Sequence, residues 1–426
     1  MKKQLQEIQQ HLNSVEQKLS TLEKEMELKE ELIFVKVRNL ITMGSKHSKS
    51  RSNGGCDNLP FLNDKYTIQT IKEAHTFFVL SGLSGSASST LRAKFSSTYP
   101  SSIACTLARP LENAPVAEAA ESVDSWFAPV DEKVQQALKE VKNVILVDDD
   151  HRHPKRLDHL ASLARDNDYI VVIVTPWAGW DCQKPADQSS EQGFWEHIIP
   201  YYFGWFLVRK SSHVMRENAE DFLKLLANNE EFSKMFRTNV EWHSEKTFDL
   251  QEYFQKRPSV LHCTTKFCDF GEVPGCKEYA RSEAVVRDYA KAFTLNVTDL
   301  FVTPRTVGAR VRLDKYQDQL WPRDEAHEGG GDSEEKVELP FGSRAHITLA
   351  CAPGVRSVQT GLDLLEILKL EEEGTKPECQ IDTEKGLLRC YGVGRWIVKL
   401  PEAVEVKTIF SGFYSKKKLT TESDGN

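Results

Sequence analysis

Two short segments carry the same chemical groups in the same order. They are His262-Cys263-Thr264 and His346-Ile347-Thr348, each within an apolar run, Leu261 to Thr265 and Ala345 to Leu349. Residues i and i+2 of a strand point to one face. Each segment, read as a strand, projects one imidazole and one hydroxyl to the same side. If the two strands are neighbours, two proton-transfer groups and two hydroxyl donors converge. Such a set suits cleavage of a cyclic phosphodiester without a metal. A neutral histidine takes a proton from water, an imidazolium protonates the departing sugar oxygen, and the hydroxyls hold the non-bridging oxygens. Histidine fits both tasks because its ordinary pKa lies near 6.5. One His-x-Thr alone is a chance tripeptide, and a single strand histidine is usually a satisfied core residue; the pattern is the pair. A zinc site of His262 with Cys263 and Cys268 fails on geometry, because strand neighbours point opposite ways. No metal and no cofactor is therefore expected.

These segments need strands to carry them. From Leu59 the pattern is α/β. Apolar runs at Thr76 to Leu80, Val144 to Val147 and Tyr169 to Thr175 read as strands of a parallel sheet. Residues 215 to 256 read as helices. Strands are expected at Val260 to Phe267, Ala292 to Val302, Val307 to Leu313 and Arg344 to Cys351, with helices at 277 to 291 and 355 to 370. An acidic, Gly-rich stretch from Asp324 to Glu335 and the tail after Tyr414 read as loose.

Gly82-Leu83-Ser84-Gly85-Ser86-Ala87-Ser88-Ser89-Thr90 falls between a strand and a helix, where a phosphate-binding loop belongs. Gly82 and Ser89 fit Gly-x-x-x-x-Gly-Lys-Ser/Thr. Ala87 stands at the second glycine, where a Cβ hinders backbone approach to phosphate, and Ser88 at the lysine that holds the β and γ phosphates. The expectation is a P-loop fold that has lost its nucleotide chemistry. A Ser-rich turn and weak residual binding are the alternatives, and Asp148 or Asp149 could still hold magnesium.

The first 40 residues differ. Leu5, Ile8, Leu12, Val15, Leu19, Leu22 and Met26 follow a heptad seam among Glu, Gln and Lys. This predicts a coiled coil forming at most a weak homodimer through residues 5–26, or else one amphipathic helix lying on the body. Residues 41–58 read as a flexible linker. It contains Met43-Gly44-Ser45-Lys46-His47-Ser48, a myristoylation pattern that acts only if translation starts at Met43.

Composition narrows the classes. The chain has 426 residues, 40% hydrophobic and 28% charged, with a net charge of −8. That excludes grip on nucleic acid by bulk positive charge. No apolar run reaches the ~20 residues that span a bilayer; the longest, Ile198 to Val208, is interrupted by Pro200 and Gly204. Nine scattered cysteines without a Cys-x-x-Cys pair read as a reduced, cytoplasmic chain, with peripheral membrane association as the alternative.

The two motifs and the strings around them resemble the 2′,3′-cyclic-nucleotide 3′-phosphodiesterase family of the 2H phosphoesterase superfamily. The carrying stretches are Leu261-His262-Cys263-Thr264-Thr265-Lys266-Phe267-Cys268-Asp269-Phe270-Gly271, Tyr202-Phe203-Gly204-Trp205-Phe206, Phe301-Val302-Thr303-Pro304, Gly342-Ser343-Arg344-Ala345-His346-Ile347-Thr348-Leu349 and Gln359-Thr360-Gly361-Leu362-Asp363-Leu364-Leu365-Glu366-Ile367-Leu368. The resemblance implies an α/β P-loop domain like that of polynucleotide kinases, then a bilobal α+β catalytic domain with two antiparallel sheets. The expected division is a helical leader over 1–40, a linker over 41–58, a degenerate P-loop domain over 59–190, a catalytic domain over 191–418 and a tail over 419–426. It further implies hydrolysis of 2′,3′-cyclic nucleotides or RNA ends to 2′-phosphates, with His346 as base, His262 as acid and Thr264 and Thr348 on the phosphate. By the same likeness Phe267 stacks on the base, and Tyr202 and Arg344 line the pocket. Binding to RNA, tubulin and myelin-type membranes is known in the family, so a cytoskeletal or membrane scaffold is the rival reading. A dual kinase and phosphodiesterase is a third, which Ser88 argues against. The family's Cys-a-a-X ending is replaced here by Ser423-Asp424-Gly425-Asn426.

Overall fold

The computed structural model describes residues 59–80, 86–106, 123–148, 154–174, 199–240, 248–322 and 339–414. The heptad leader with its proposed dimer seam, the linker with Met43, the acidic stretch and the tail over 419–426 lie outside them.

The first part is a parallel sheet. Its strands are β1 (Thr76–Leu80), β2 (Ile103–Thr106), β3 (Val144–Asp148) and β4 (Ile170–Val174), in the order β2-β3-β1-β4. Both faces are covered, which explains why these strands read as unbroken apolar runs. Phe78 and Leu80 face one layer with Ile71, Leu91 and Phe95; Phe77 and Val79 face another with Val130, Val134 and Leu160. The covering helices are α1 (Pro60–Asn63), α2 (Lys65–Glu73), α3 (Ser86–Thr98), α4 (Val123–Lys139) and α5 (Pro154–Asp166). Asp64 caps α2 by accepting from the Thr67 N–H at 2.7 Å. β1 ends at Leu80 and α3 begins at Ser86, so Ser88 and Ser89 fall in the first turn of α3, while Gly82 lies outside the described residues. Asp148, considered as a magnesium ligand, pairs with Arg92 of α3 at 3.0 Å.

The second part is antiparallel. The run at Ile198 to Val208 contains β5 (Tyr202–Leu207). It is followed by α6 (Arg209–Ala227), α7 (Glu230–Arg237), α8 (Leu250–Tyr253), β6 (His262–Phe267), α9 (Cys276–Ala280) and α10 (Glu283–Asp288). Then come β7 (Ala292–Val302), β8 (Thr306–Arg312), β9 (His346–Cys351), α11 (Gln359–Glu372), β10 (Cys379–Thr383), β11 (Gly386–Cys390) and β12 (Trp396–Phe413).

The resemblance implies two antiparallel sheets. The strands are instead hydrogen-bonded into one branched sheet of eight, because β7 and β12 are long enough to run through both halves. The early part of β12 takes β11 on its free edge, and the late part takes β5. Bulges at Lys399/Val404 in β12 and Val297/Asp299 in β7 mark the bend. Pro401, which cannot donate to a ladder, falls inside the β12 bulge. One path runs β6-β5-β12-β7-β8-β9, and its two end strands return alongside each other. That curl brings the two motifs together.

The edge of β4 meets this second sheet through side chains. The Ser411 hydroxyl donates to the Val171 carbonyl at 2.6 Å, and the Ile173 N–H donates to the Tyr289 hydroxyl at 3.2 Å. Two edge groups are thereby satisfied without a further strand.

Candidate active site

β6 and β9 are built alike. On β6 the register pairs His262 with Phe206 and Thr264 with Gly204 of β5, then skips Thr265. On β9 it pairs His346 with Arg310 and Thr348 with Gly308 of β8, then skips Leu349. Each motif is thus His-x-Thr followed by a one-residue bulge, and each threonine sits opposite a glycine. A Cβ on Gly204 would come within 2.6 Å of the Cys263 carbonyl oxygen. One on Gly308 would come within 2.3 Å of the Phe301 ring and 2.6 Å of the Thr360 methyl. Both glycines permit a close approach that no larger residue allows.

The bulge at Thr265 also decides where Phe267 points. By simple alternation Phe267 is an odd step from His262 and belongs to the opposite face. The extra residue restores it to the His262 side, paired with Tyr202. The Phe267 ring is 43% exposed and meets Tyr201 edge-on at 4.9 Å.

Both imidazoles are fixed in the same way. His262 Nδ1 is 3.0 Å from the Val260 carbonyl oxygen, and His346 Nδ1 is 2.6 Å from that of Arg344. A carbonyl oxygen can only accept, so Nδ1 carries the proton in each ring. Nε2 is left as the basic atom on both histidines.

Both histidines are only partly exposed. Burial therefore lowers both pKa values. For His346 the pKa falls to about 4: burial is the main cause, the positive Arg344 and the neighbouring His262 add to it, and the Arg344 carbonyl and Asp363 oppose it. The two imidazoles are close enough to feel each other's charge. Both shifts favour the neutral imidazole near pH 7. A negative charge near such a pair favours the protonated form, and the two rings then titrate as a unit.

The backing of the rings differs. Tyr202 stacks on His262 with centroids 4.7 Å apart and 20° between planes, and Phe206 lies at 5.7 Å. Tyr202 is therefore behind the imidazole, where burial raises its own pKa. His346 packs on the first turn of α11: a Cβ on Gly361 would lie 2.7 Å from His346 Cε1 and 3.1 Å from Arg344 Cγ. The Thr348 hydroxyl is 3.0 Å from that of Thr360 and 3.3 Å from the Ser357 carbonyl.

Asp363, fully buried, ties α11 to the β7–β8 turn. It accepts from the Thr303 and Thr306 hydroxyls at 2.6 Å each, from Gln359 at 2.9 Å, and pairs with Arg305 at 2.5 Å. Thr360, Gly361 and Asp363 escaped the motif reading, although they lie in one of the stretches that carry the resemblance. Gly and Asp two residues apart near a helix start are the signal that could have marked them.

Cys263 lies on the core face of β6, and burial pushes its thiol up to about 12, so it is no nucleophile near neutral pH. Among the described residues no cluster of three metal-ligating side chains occurs. Tyr202 stacks on His262, Phe267 lies opposite Tyr202 in the β5–β6 pair, and Arg344 and His262 are near enough to His346 to act on its charge. Ser88 and Ser89 belong to α3, on the parallel sheet.

A curled antiparallel sheet thus sets two His-x-Thr strands side by side. Comparison with known proteins makes this specific. The profile of the family 2′,3′-cyclic nucleotide 3′-phosphodiesterase (CNP or CNPase) matches residues 199–426. The chain is 40% identical over 375 residues to the 2′,3′-cyclic-nucleotide 3′-phosphodiesterase of Pongo abelii, covering 84% of this chain and 87% of the relative. It is 39% identical over 389 residues to that of Rattus norvegicus, covering 87% and 91%. The chain belongs to the 2′,3′-cyclic nucleotide 3′-phosphodiesterase family. Among the described residues no helix is long and apolar enough to cross a membrane.

Proposed function

We propose that the chain hydrolyses 2′,3′-cyclic phosphates of nucleosides or RNA ends to 2′-phosphates, and that the two histidines do the proton work. The observation that carries this is the pairing of two Nδ1-protonated imidazoles, each with a threonine beside it, on strands that return alongside one another. His346 Nε2 takes a proton from water as its oxygen attacks phosphorus. The bond from phosphorus to O3′ breaks, and the His262 imidazolium gives its proton to O3′. Thr264 and Thr348 donate to the non-bridging oxygens as charge develops. The products are the 2′-phosphate and a free 3′-hydroxyl; the proton returns from His346 to His262 through solvent. Phe267 offers an exposed ring on which the base stacks. Base, acid and anion donors are all supplied by side chains, so the steps need no metal. The division near residue 191, with the parallel sheet before it and the chemistry after it, is part of the same proposal.

The test is turnover of 2′,3′-cyclic NADP by the purified chain in EDTA, with the product isomer identified. A 2′-phosphate is expected. A 3′-phosphate product, or activity lost with EDTA and restored by a metal, overturns the mechanism.

A further inference from the structure

A continuous stack leads from the parallel sheet to the catalytic imidazole. Arg165, at the end of α5, places its guanidinium over the Phe413 ring at 5.6 Å. Phe413 lies flat on Tyr202, with centroids 4.8 Å apart and 2° between planes. Tyr202 lies on His262 at 4.7 Å. The arrangement follows from register, since Phe413 of β12 is directly opposite Tyr202 of β5, and Tyr202 is opposite Phe267 of β6. Arg165 is itself held: Nη1 donates to the Tyr414 carbonyl at 2.9 Å and Nη2 to the Ser162 hydroxyl at 3.2 Å, with Asp166 3.8 Å from Nε. The apolar layer beneath is continuous, running from Ile170, Val172 and Val174 to Phe206 and Ile409.

We propose that Arg165 is a positioning residue for His262, acting through Phe413 and Tyr202. The inference rests on the function proposed above, in which His262 is the acid. A cation over an aromatic face restrains the ring. Phe413 so restrained keeps Tyr202 flat, and Tyr202 sets the tilt of the imidazole and hence the direction of Nε2. The same contact seals the stack. A cavity of about 20 Å³ lies beside it, bordered by Arg165, Phe206, Phe413 and Val260, the residue whose carbonyl holds His262 Nδ1. That volume admits about one water. Loss of the guanidinium opens the seal, and hydration favours the imidazolium. The charged or titratable groups that face His262 are Tyr202 on β5, His346 on β9 and, beyond Phe413, Arg165 on α5 with its neighbour Asp166; Cys263 points to the core.

The experiment compares Arg165→Met, Arg165→Lys and Phe413→Leu with the parent chain. It measures kcat and KM on 2′,3′-cyclic NADP and the titration of His262 by NMR, with thermal unfolding alongside. Arg165→Met should lower kcat by about two- to five-fold, the size of one cation–π contact, with KM unchanged. The His262 midpoint should move up towards the ordinary value. Arg165→Lys, which keeps the charge, should recover most of both effects, and Phe413→Leu should reproduce them. A parental His262 titration in Arg165→Met overturns the proposal, whether or not the melting temperature falls. So does equal loss in the Met and Lys variants. If the parent chain fails to turn over the cyclic nucleotide, the proposed function fails, and the titration still decides whether Arg165 sets His262.

Discussion

His262 and His346 are held by the same backbone geometry and backed by different chemistry. Both donate Nδ1–H to the carbonyl two residues earlier, and both precede a threonine and a bulge. Behind His262 lie the rings of Tyr202 and Phe206. Behind His346 lie the first turn of α11, Arg344 and, further off, the buried Asp363. The repeat supplies two equivalent nitrogens; the backing makes them unequal. Arg344 adds its positive charge to burial at His346, which favours the neutral ring. At His262 burial lowers the pKa and the Val260 carbonyl opposes it. In the proposed mechanism a bound phosphate anion favours the imidazolium that His262 needs as acid. Motif spacing alone is symmetric and cannot order the two.

The largest effect comes from removing either ring. His262→Ala and His346→Ala should each lower kcat by about 10²–10⁴, the usual worth of acid–base help. The double variant should cost less than the product of the two, because the groups act as a unit. An active His346→Ala chain, measured under single-turnover conditions, breaks the comparison at its root.

Gly361→Ala comes next. The new Cβ would stand 2.7 Å from His346 Cε1, so the ring must move. A displacement of this kind costs on the order of 10²-fold in rate. Thermal unfolding should change little by comparison, since the helix gains a better former. Full activity with an unshifted ring would show that His346 is less tightly backed than the packing indicates.

Much of this was legible in the sequence, and the failures have physical reasons. Period two put each histidine and its threonine on one face, and both strands are there. Period two could not place Phe267, because the face depends on the bulge at Thr265 and no residue type announces it; only the family resemblance named that ring. β12 went unread because Pro401, Glu402 and Glu405 break its alternation, yet this strand joins the two halves of the sheet. The apolar run containing β5 was visible, but its role as the partner of β6 is a long-range pairing. Thr360 and Gly361 carry no motif of their own and matter only because α11 packs against β9.

The pH dependence of stability sharpens the same contrast. The folded pKa of His346 is depressed from its ordinary 6.5 to about 4, so the unfolded chain binds the proton first. Stability should be full above about 6.5 and fall as pH drops from there towards 4. Below that the folded state takes up the proton too, and this group adds no further slope. His346→Asn should flatten the dependence in that window, measured by urea unfolding at several pH values. His262→Asn should act in the same direction. An unchanged slope in His346→Asn would mean that its imidazole is not desolvated.

The smallest effects separate the two backings. Thr360→Val keeps shape and removes the hydroxyl that meets Thr348 at 3.0 Å. One hydrogen bond is worth about 0.5–1.5 kcal/mol, so the rate should fall by roughly two- to ten-fold through a less ordered Thr348. Tyr202→Phe keeps the ring that stacks on His262 and removes only the hydroxyl, so kcat should stay within about two-fold of the parent. Each variant deletes one hydroxyl oxygen behind one of the two motifs. If the β9 side is held by hydroxyls and the β6 side by ring faces, Thr360→Val must be the more damaging. The reverse order, in kcat measured on one substrate at one pH, would place a working hydroxyl behind His262 and make Tyr202 more than a surface for the imidazole to rest on.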